Sequence, residues 1–528
     1  MFPIDQPPYL ILMKHIYVLL LLTIYGCLDA PEIDSDPRPN IVLIMADDIG
    51  YSDLGCYGSE IHTPNLDALA TGGMRFKTFY NMAKCNPTRS TLITGLYEGN
   101  DQAISFVPLL REAGYSAMMS GKEHFDKWVP QHCYFAETFE NSLTFWATTE
   151  YFVPPVDSFE RPFYLNGRKI HHSEIEAEIL PKYKTDFITD YALRYLDTMM
   201  QRENPFFLLL PYHSSHYPLQ ARPEEIDKYR GSYKKGWDQI REERFARMKE
   251  MGLVDQDVQM SPGEDNTNRF RGSSHPGWED IRAKFPKYYP WDTMTNVEKD
   301  KKDLEMAVFA AMVDRMDQNI GRVIERLEET GELENTLILF FTDNGSCPFD
   351  SNVDFDIPPG PAESYRCLSA AWANAGNTPF RLYKQNGHEG GSNTHFIAHW
   401  PKVIEPNQIT DHIGQVADLF PTFLDIANIN YPKNRAGKPT LPLHGASLMP
   451  VFKGGERPSP KMIVSGNTER FRMFRQGDWK LVRQNNDAWE LYNLKEDRTE
   501  LKNLATVQRE KLSELISAYA TYRASLED

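Results

Sequence analysis

The chain has 528 residues, of which 41% are hydrophobic and 25% charged. This length suits one large α/β domain with a smaller second domain, and the composition is ordinary for a soluble globular protein. The formal net charge of -17 argues against nucleic acid as a partner, because phosphate binding needs clustered lysine and arginine side chains. It leaves an anionic substrate open, since a local basic pocket can lie in an acidic protein.

The first predicted element is an export signal. The apolar run 16–24 follows Lys14, is too short to span a bilayer and is typical of a signal-peptide core, with Met13 as the expected translation start. The run ends in Ile24-Tyr25-Gly26-Cys27, which is similar to a bacterial lipobox; cleavage nearby without lipidation is the alternative. We assign 1–27 to the signal peptide and 28–38 to a tether. We expect an exported protein that is periplasmic, secreted, or held at the cell surface by a lipid on Cys27.

Four short apolar runs predict buried strands: 41–46, 115–119, 206–210 and 337–341. Helical patterns lie between them, so we predict a large, mostly parallel central sheet flanked by helices. Ligands bind beyond the carboxyl ends of such strands. We therefore expect the polar residues that follow these runs to converge at one edge of the sheet, namely Asp47, Asp48, Lys122, His124, His216, Asp343 and Asn344.

The pattern changes after about residue 428. Short strands are predicted at 462–465, 471–475, 479–483 and 490–494, followed by a helix with one apolar face. We predict a smaller antiparallel sheet with this helix packed on it. The stretch 431–450 contains proline and glycine and is the predicted boundary. It divides the mature chain into a catalytic domain, 39–430, and a C-terminal subdomain, 431–528.

Asp47, Asp48, Asp343 and Asn344 are candidate metal ligands. Three carboxylates brought together repel one another, and a cation relieves the repulsion. Because all the ligand atoms are oxygens, a hard ion is favoured over zinc; we expect one Ca²⁺, with Mg²⁺ as the alternative. A helix cap or a loop would explain one acidic pair, but two such pairs that each end a buried strand favour the metal site.

Cys85 lies in Cys85-Asn86-Pro87-Thr88-Arg89. Pro87 favours the first turn of a helix, which places Cys85 near an N-terminus whose dipole favours an anion. Arg89, one turn further on, could donate to the same anion. On these residues alone, a buried or disulfide-bonded cysteine is the simpler interpretation.

Five cysteines follow Cys27, an odd number that leaves at least one outside a disulfide in an exported protein. Cys347 and Cys367 flank one loop and could pair, but the sequence does not determine the connectivity. The five are Cys56, Cys85, Cys133, Cys347 and Cys367.

The segment C-N-P-T-R-S-T-L-I-T-G resembles the signature of the formylglycine-dependent sulfatases, arylsulfatase-like members of the alkaline phosphatase superfamily. Further matching segments follow in family order over nearly the whole chain from about Pro39, and this ordered set is highly specific. They are P-N-I-V-L-I-M-A-D-D-I-G, S-G-K-E-H, Y-H-S-S-H-Y-P-L-Q, F-F-T-D-N-G-S, Y-K-Q-N-G-H-E-G-G, D-W-K-L-V and W-E-L-Y-N-L.

The resemblance implies that Cys85 is oxidised to formylglycine by a formylglycine-generating enzyme, and that the modified residue joins Asp47, Asp48, Asp343 and Asn344 on the metal. One hydroxyl of the hydrated aldehyde attacks sulfur, and loss of the proton from the other expels sulfate. The remaining roles implied are stabilisation of the hydrate by Arg89, proton removal by His124, sulfate binding by Lys122 and Lys384, and protonation of the leaving oxygen by His216.

Some positions keep alternatives. His213 is close to His216, but the following Tyr217-Pro218-Leu219 makes His216 the better match; His213 is then structural or supporting. Lys384 could be a surface lysine, and His388 could line the pocket. Glu123 and Asp126 depart from the family pattern and add negative charge.

Two long segments are candidates for substrate recognition. The insertion 221–291 carries aromatic and arginine side chains that would either bind a sulfated sugar chain or pack among themselves: Trp237, Arg269, Arg271, Trp278, Tyr288, Tyr289 and Trp291. The loop 347–380 carries Asp350, Asp354, Asp356 and Trp372.

We therefore expect a sulfuric ester hydrolase that acts on a sulfated carbohydrate, with a membrane contacted only through a lipid on Cys27. Hydrolysis of a small aryl sulfate or of a phosphonate monoester is the alternative within enzymes. A phosphatase with two zinc ions would need further histidine and aspartate ligands that we do not find. A surface lipoprotein that binds glycans, with Cys85 never matured, is the alternative without catalysis.

Overall fold

The structure, a computed structural model, describes residues 38–146, 150–153, 162–170, 174, 182–264, 288, 290–348, 357–465 and 470–526. The expected signal peptide, the lipobox and nearly all of the tether lie outside the described residues. Within the described ranges, no helix has the length and apolar character that a membrane span requires.

The strands are short and most belong to one sheet. They are β1 Asn40–Ala46, β2 Met74–Tyr80, β3 Ser116–Lys122, β4 Asn141–Phe145, β5 Phe152–Val153, β6 Phe163–Leu165, β7 Arg168–Ile170, β8 Lys182–Tyr183, β9 Phe206–Pro211, β10 Thr336–Thr342, β11 Asn393–His399, β12 Gln408–Gln415, β13 Asn434–Arg435, β14 Lys438–Pro439, β15 Lys461–Ser465, β16 Phe471–Gln476, β17 Trp479–Gln484 and β18 Glu490–Asn493.

The α-helices lie mainly between these strands. They are α1 Pro64–Thr71, α2 Cys85–Thr94, α3 Phe106–Glu112, α4 Phe135–Thr138, α5 Lys184–Met200, α6 Pro223–Asp227, α7 Trp237–Glu250, α8 Asn296–Glu329, α9 Ala370–Gly376, α10 Glu389–Ser392, α11 Leu419–Ile426, α12 Met449–Phe452 and α13 Arg509–Ala524.

The central sheet has ten strands in the order β12-β2-β11-β10-β1-β9-β3-β4-β6-β7. Its middle five, β10, β1, β9, β3 and β4, are all parallel. Strand β11 is antiparallel to both of its neighbours, and β6 and β7 continue the far edge in antiparallel pairs. The prediction of a mostly parallel central sheet is confirmed.

Strand β1 shows why continuous apolar runs mark this sheet. Val42 and Ile44 pack into the hydrophobic cluster on one face, and Ile41 and Leu43 pack into the cluster on the other. Because helices cover both faces, every residue of the strand is buried. Helix α8 contributes a long apolar stripe to the first of these clusters and is followed by Gly331 at φ +75.

Strands β15, β16, β17 and β18 form a separate four-stranded antiparallel sheet. Helix α13 packs on it through Leu515 and Tyr519, and the Tyr519 ring lies 5.3 Å from that of Trp489. The predicted C-terminal sheet and helix are confirmed, with strand ends within one residue. The domain boundary at 431–450 stays a prediction.

Candidate active site

The loops after β1 and β9 meet at the carboxyl edge of the central sheet. The backbone N–H of Asp47 donates to the carbonyl of Ser214 at 2.9 Å, and the N–H of Ser215 donates to the carbonyl of Asp47 at 2.7 Å. This pair of bonds holds the segment that carries His216 against Asp47. The convergence predicted for parallel strand ends is therefore present at atomic detail for these two loops.

Cys85 is the first residue of helix α2 and is buried. Its thiol donates to Asp47 Oδ1 at 3.3 Å, and Lys384 Nζ donates to its sulfur at 3.1 Å. Thr88, one turn later, donates to the carbonyl of Asp343 at 2.6 Å. Thr88 therefore ties α2 to the end of β10, a positioning role that we did not assign from the sequence although Thr88 lies in the same motif.

Arg89 joins two of the predicted metal ligands. Its guanidinium contacts Asp343 Oδ2 at 2.8–2.9 Å and Asp47 Oδ2 at 3.3 Å, and all three side chains are fully buried. It also donates to the carbonyl of Lys122 at 3.0 Å. Arg89 thus fixes the distance between the ends of β1, β3 and β10.

Two lysines pair with the remaining oxygens. Lys122 Nζ donates to Asp47 Oδ2 and Lys384 Nζ donates to Asp48 Oδ1, each at 2.5 Å. Three basic side chains thus lie against three aspartates, counting Arg89. Repulsion among the carboxylates, which was the argument from sequence for a cation, does not by itself require one.

The polar atoms left over make the stronger argument for a metal. Asp48 Oδ2, Asp343 Oδ1 and Asn344 Oδ1 are buried and have no hydrogen-bond partner among the described residues. Ligand atoms of Asp47, Asp48, Cys85 and His216 also lie within 4.8 Å of one another. Buried oxygens without donors are costly, and oxygen ligands of this kind suit a hard divalent cation. The residues present therefore fit a metal site.

The two predicted catalytic histidines are held neutral. His216 Nδ1 donates to the carbonyl of Tyr217 at 2.8 Å, so the neutral ring presents Nε2 to Asp48 Oδ2, 3.6 Å away. Burial, followed by the charge of Lys384, lowers the pKa of His216 well below its ordinary value. Burial, with the charges of Lys122 and Arg89, does the same to the pKa of His124.

The pKa values of the acidic side chains in the site are shifted in opposite directions. Burial raises the pKa of Asp343 to about 7, and the charge of Asp47 adds to this. Burial also acts on Asp47, but the charges of Lys122 and Arg89 oppose it, and the pKa of Asp47 lies well below the ordinary value. Burial and then the charges of Asp343 and Asp47 raise the pKa of the Cys85 thiol well above the ordinary value. An unmodified Cys85 is therefore a neutral thiol and a poor nucleophile.

A model of the family described as Sulfatase matches residues 39–429. The chain belongs to the sulfatase family. A second model, described as the C-terminal part of N-sulphoglucosamine sulphohydrolase, matches residues 382–521. The chain is accordingly a sulfuric ester hydrolase.

Individual proteins agree. This sulfatase is 31% identical to an uncharacterized sulfatase of Schizosaccharomyces pombe, over 92% of this chain and 94% of the relative. It is 29% identical to an arylsulfatase of Klebsiella aerogenes, over 78% of this chain and 92% of the relative. Among solved structures it is similar in fold to Ps i-CgsB in complex with k-i-k-neocarrahexaose, at a TM-score of 0.64, with 21% identity and 92% of both chains covered.

Three other residues flagged from the sequence make packing or hydrogen-bond contacts within this sulfatase. The His213 ring stacks on the Tyr151 ring, with the two centroids 4.1 Å apart, and is fully buried. His213 therefore has a packing role. His388 Nε2 and Glu490 Oε2 of β18 form a hydrogen bond of 3.1 Å. Glu123 accepts from the N–H of Phe135 at 3.0 Å.

The structure describes part of the insertion 221–291. Trp237 is buried in edge contacts with Trp291 at 4.8 Å and Trp372 at 5.5 Å, which confirms packing among aromatics for Trp237 and Trp291. Trp372, a candidate for substrate recognition, is fully buried in the same contacts. The other residues flagged in the two long segments, apart from Tyr288, lie outside the described residues: Arg269, Arg271, Trp278, Tyr289, Asp350, Asp354 and Asp356.

Within the described part of the chain, Cys347 and Cys367 are not joined by a disulfide. The thiol of Cys367 donates to the carbonyl of Cys347 at 2.7 Å. The two residues are nevertheless neighbours, as expected from their position at the two ends of one loop.

Proposed function

We propose that this sulfatase releases sulfate from a sulfated carbohydrate through a formylglycine formed from Cys85, with Ca²⁺ as the bound metal and Mg²⁺ as the alternative. The observation that carries the proposal is the setting of Cys85. Its sulfur lies between Asp47 Oδ1 and Lys384 Nζ at the start of α2, and ligand atoms of Cys85, Asp47, Asp48 and His216 lie within 4.8 Å of one another.

Asp47, Asp48, Asp343 and Asn344 would hold the metal, together with the modified Cys85. A bound divalent cation supplies Lewis-acid stabilisation of charge on a sulfate oxygen. Formylglycine supplies a hydrate with one hydroxyl for attack and one for elimination. A serine at this position could form a sulfated enzyme but could not release sulfate by that elimination.

The chain's own side chains bind the substrate and move protons. The ammonium groups of Lys122 and Lys384 contact Asp47 and Asp48, respectively, where they can hold sulfate oxygens. His124, neutral and with a buried Nδ1 that lacks a partner in the described structure, suits proton removal. His216 would protonate the leaving oxygen through Nε2 in its imidazolium form, because the neutral ring keeps its one proton on Nδ1.

A carbohydrate substrate is supported by the match of residues 382–521 to the C-terminal part of a glucosamine sulfohydrolase, and by the expected export signal. Ps i-CgsB, whose structure holds a neocarrahexaose, has a similar fold. A small aryl sulfate is the second candidate, because the relative from Klebsiella aerogenes is named an arylsulfatase. Hydrolysis of a phosphonate monoester and glycan binding without turnover are further outcomes of the test.

The test uses the full chain produced with a formylglycine-generating enzyme and loaded with Ca²⁺. Sulfate release from sulfated mono- and oligosaccharides and from p-nitrophenyl sulfate is followed by ion chromatography. Hydrolysis of a phenylphosphonate ester is followed by the release of phenylphosphonate. We expect release from a sugar, and none from Cys85→Ala. Turnover by Cys85→Ala overturns the mechanism. A preference for the aryl sulfate or the phosphonate overturns the substrate class. If the modified enzyme binds a sugar but releases no sulfate, the catalytic role is overturned.

We also propose that the protein is exported and anchored through a lipid on Cys27. The support is the short apolar run before Cys27 and the acidic, proline-containing stretch after it. Metabolic labelling with a fatty acid should mark the wild type and leave Cys27→Ala unlabelled. Label on both proteins, or on neither, contradicts the anchor.

A further inference from the structure

The segment Arg381–Ser392, here the Lys384 loop, is held on one side by the catalytic site. The N–H of Gln385 donates to the carbonyl of Ala83 at 2.8 Å, and the N–H of Lys384 donates to the carbonyl of Ser346 at 3.2 Å. Leu382 and Gln385 both have φ of 63, a left-handed conformation that costs energy for residues with a side chain. The surrounding structure must therefore impose this path on the loop.

The other side of the loop lies against the C-terminal sheet. Gln484 Nε2 donates to the carbonyl of Gln385 at 3.1 Å. A Cβ at Gly387 would lie 2.8 Å from the carbonyl oxygen of Arg472, so only glycine permits this approach of the two backbones. The loop is thus clamped between the start of α2 and strands β16 and β17.

A buried ionic network forms the centre of this clamp. Glu389 accepts from Lys480 Nζ and from the hydroxyl of Tyr80, each at 2.6 Å. Its N–H donates to Glu500 Oε2 at 2.8 Å, and Lys480 contacts the other oxygen of Glu500 at 2.9 Å. Lys480 and Glu500 are fully buried and Glu389 nearly so.

Such a network does little for stability by itself. Desolvation offsets most of the attraction in a buried pair, while removal of one partner leaves a costly unpaired charge. The C-terminal sheet already has an apolar core that packs it on the catalytic domain, including Phe474, Leu481 and Leu491. What the ions add is a fixed position for Glu389, five residues along the chain from Lys384.

We propose that Lys480 and Glu389 are positioning residues for Lys384, so that the C-terminal sheet sets where the sulfate-binding ammonium lies relative to Cys85. The inference rests on the proposed function, because that function gives Lys384 its role. Neither residue touches the reacting atoms. Lys480 acts on Glu389, and Glu389 holds the loop that places Lys384 Nζ at 3.1 Å from the Cys85 sulfur.

A double-mutant cycle separates positioning from a general structural effect. The probes are kcat/KM for whichever sulfate ester the wild type hydrolyses, and inhibition by inorganic sulfate. We expect Lys480→Met to lower kcat/KM by about 10- to 100-fold and to weaken inhibition by sulfate, as loss of a supporting contact does at other preorganised sites. In a Lys384→Ala background the same change should cost less than about threefold, because the group that it positions is gone.

Arg457→Met is the matched control, since it also breaks a buried ion pair, with Asp418 at 3.0 Å, but away from the Lys384 loop. It should reduce stability and leave sulfate inhibition unchanged. Glu389→Gln, which keeps an acceptor for Tyr80, provides a second variant if Lys480→Met does not fold. Equal losses in both backgrounds, or the same effect from Arg457→Met, overturn the positioning role. A wild type that releases no sulfate overturns the proposed function, and this inference with it.

Discussion

The ammonium of Lys384 lies 3.1 Å from the sulfur of Cys85 and also contacts Asp48. The two residues are 299 positions apart in the chain, and they meet because the Lys384 loop crosses the start of α2. A cation held at this distance can neutralise charge that develops on a sulfate group bound at Cys85. The contact therefore leads to the first prediction.

Lys384→Ala should lower kcat/KM for sulfate release by about 10²- to 10³-fold, the usual cost of one charge-stabilising donor. Lys384→Arg keeps the charge but changes its shape and should recover only part of the activity. Steady-state kinetics measure both effects, and circular dichroism checks the fold. Activity within threefold of the wild type in Lys384→Ala would remove this residue from the site.

If His216 is the general acid, kcat/KM should depend on pH for substrates whose leaving group needs a proton. A general acid must carry a proton, and this group loses it as the pH rises through a pKa that burial and Lys384 place below the ordinary histidine value. With a sugar sulfate, whose alkoxide leaves poorly, kcat/KM should fall as the pH rises through this lowered value.

The control for this prediction is the substrate itself. His216→Ala should reduce hydrolysis of a sugar sulfate much more than hydrolysis of p-nitrophenyl sulfate, because a nitrophenolate leaves without help from an acid. Parallel pH-rate profiles for the two substrates are the measurement. Equal losses on both would show that His216 binds or positions the substrate and does not donate the proton.

Removal of the metal should be visible without turnover. Asp48 Oδ2, Asp343 Oδ1 and Asn344 Oδ1 lack donors among the described residues, so a bound cation should stabilise the folded state. We expect about one equivalent of divalent metal per chain by elemental analysis, and a lower midpoint of thermal unfolding after chelation. Asn344→Leu should weaken metal binding, and an unchanged midpoint in chelator would contradict the site.

Glu123 predicts a pH effect on stability. Burial raises its pKa from the ordinary value to about 7, and Glu137 adds to this. Between about pH 4.5 and 7 the unfolded chain gives up a proton that the folded chain keeps, so stability falls as the pH rises through this window. Glu123→Gln should remove the fall and be more stable than the wild type at pH 8 by roughly 1–3 kcal/mol.

Urea unfolding at pH 5 and pH 8 tests this effect. Glu137→Gln is the matched control: it removes an exposed neighbour and should reduce the pH dependence only slightly, since Glu123 itself remains buried. If Glu123→Gln and the wild type lose the same stability between the two pH values, the carboxyl of Glu123 is not the group responsible.

Sequence patterns were sufficient for four of the five parallel middle strands, β1, β3, β9 and β10, but not for β4. Runs such as 41–46 and 337–341 are continuously apolar because helices cover both faces of the sheet, and this burial is visible in the residues themselves. Strands β2 and β11 were not predicted. Strand β11 contains His395 and His399 and is placed between β10 and β2 by antiparallel pairing with segments far away in the chain, which local patterning does not reveal.

The candidate site was predicted as a set of residues but not as a network. Motif order brought Asp47, Cys85 and Asp343 together, yet the pairing of Arg89 with Asp343 joins residues 254 positions apart. Long-range pairs of this kind depend on the tertiary fold. The sequence indicated a metal through repulsion between carboxylates, whereas the structure supports it through specific oxygens without donors among the described residues.

Mass spectrometry of the tryptic peptide that contains Cys85 shows directly whether the formylglycine nucleophile forms. The protein is made with a formylglycine-generating enzyme and treated with an aldehyde-reactive label. We expect a labelled aldehyde at Cys85, in proportion to the sulfate-releasing activity of each preparation. Full activity in a preparation whose Cys85 is entirely an unlabelled thiol would contradict this expectation.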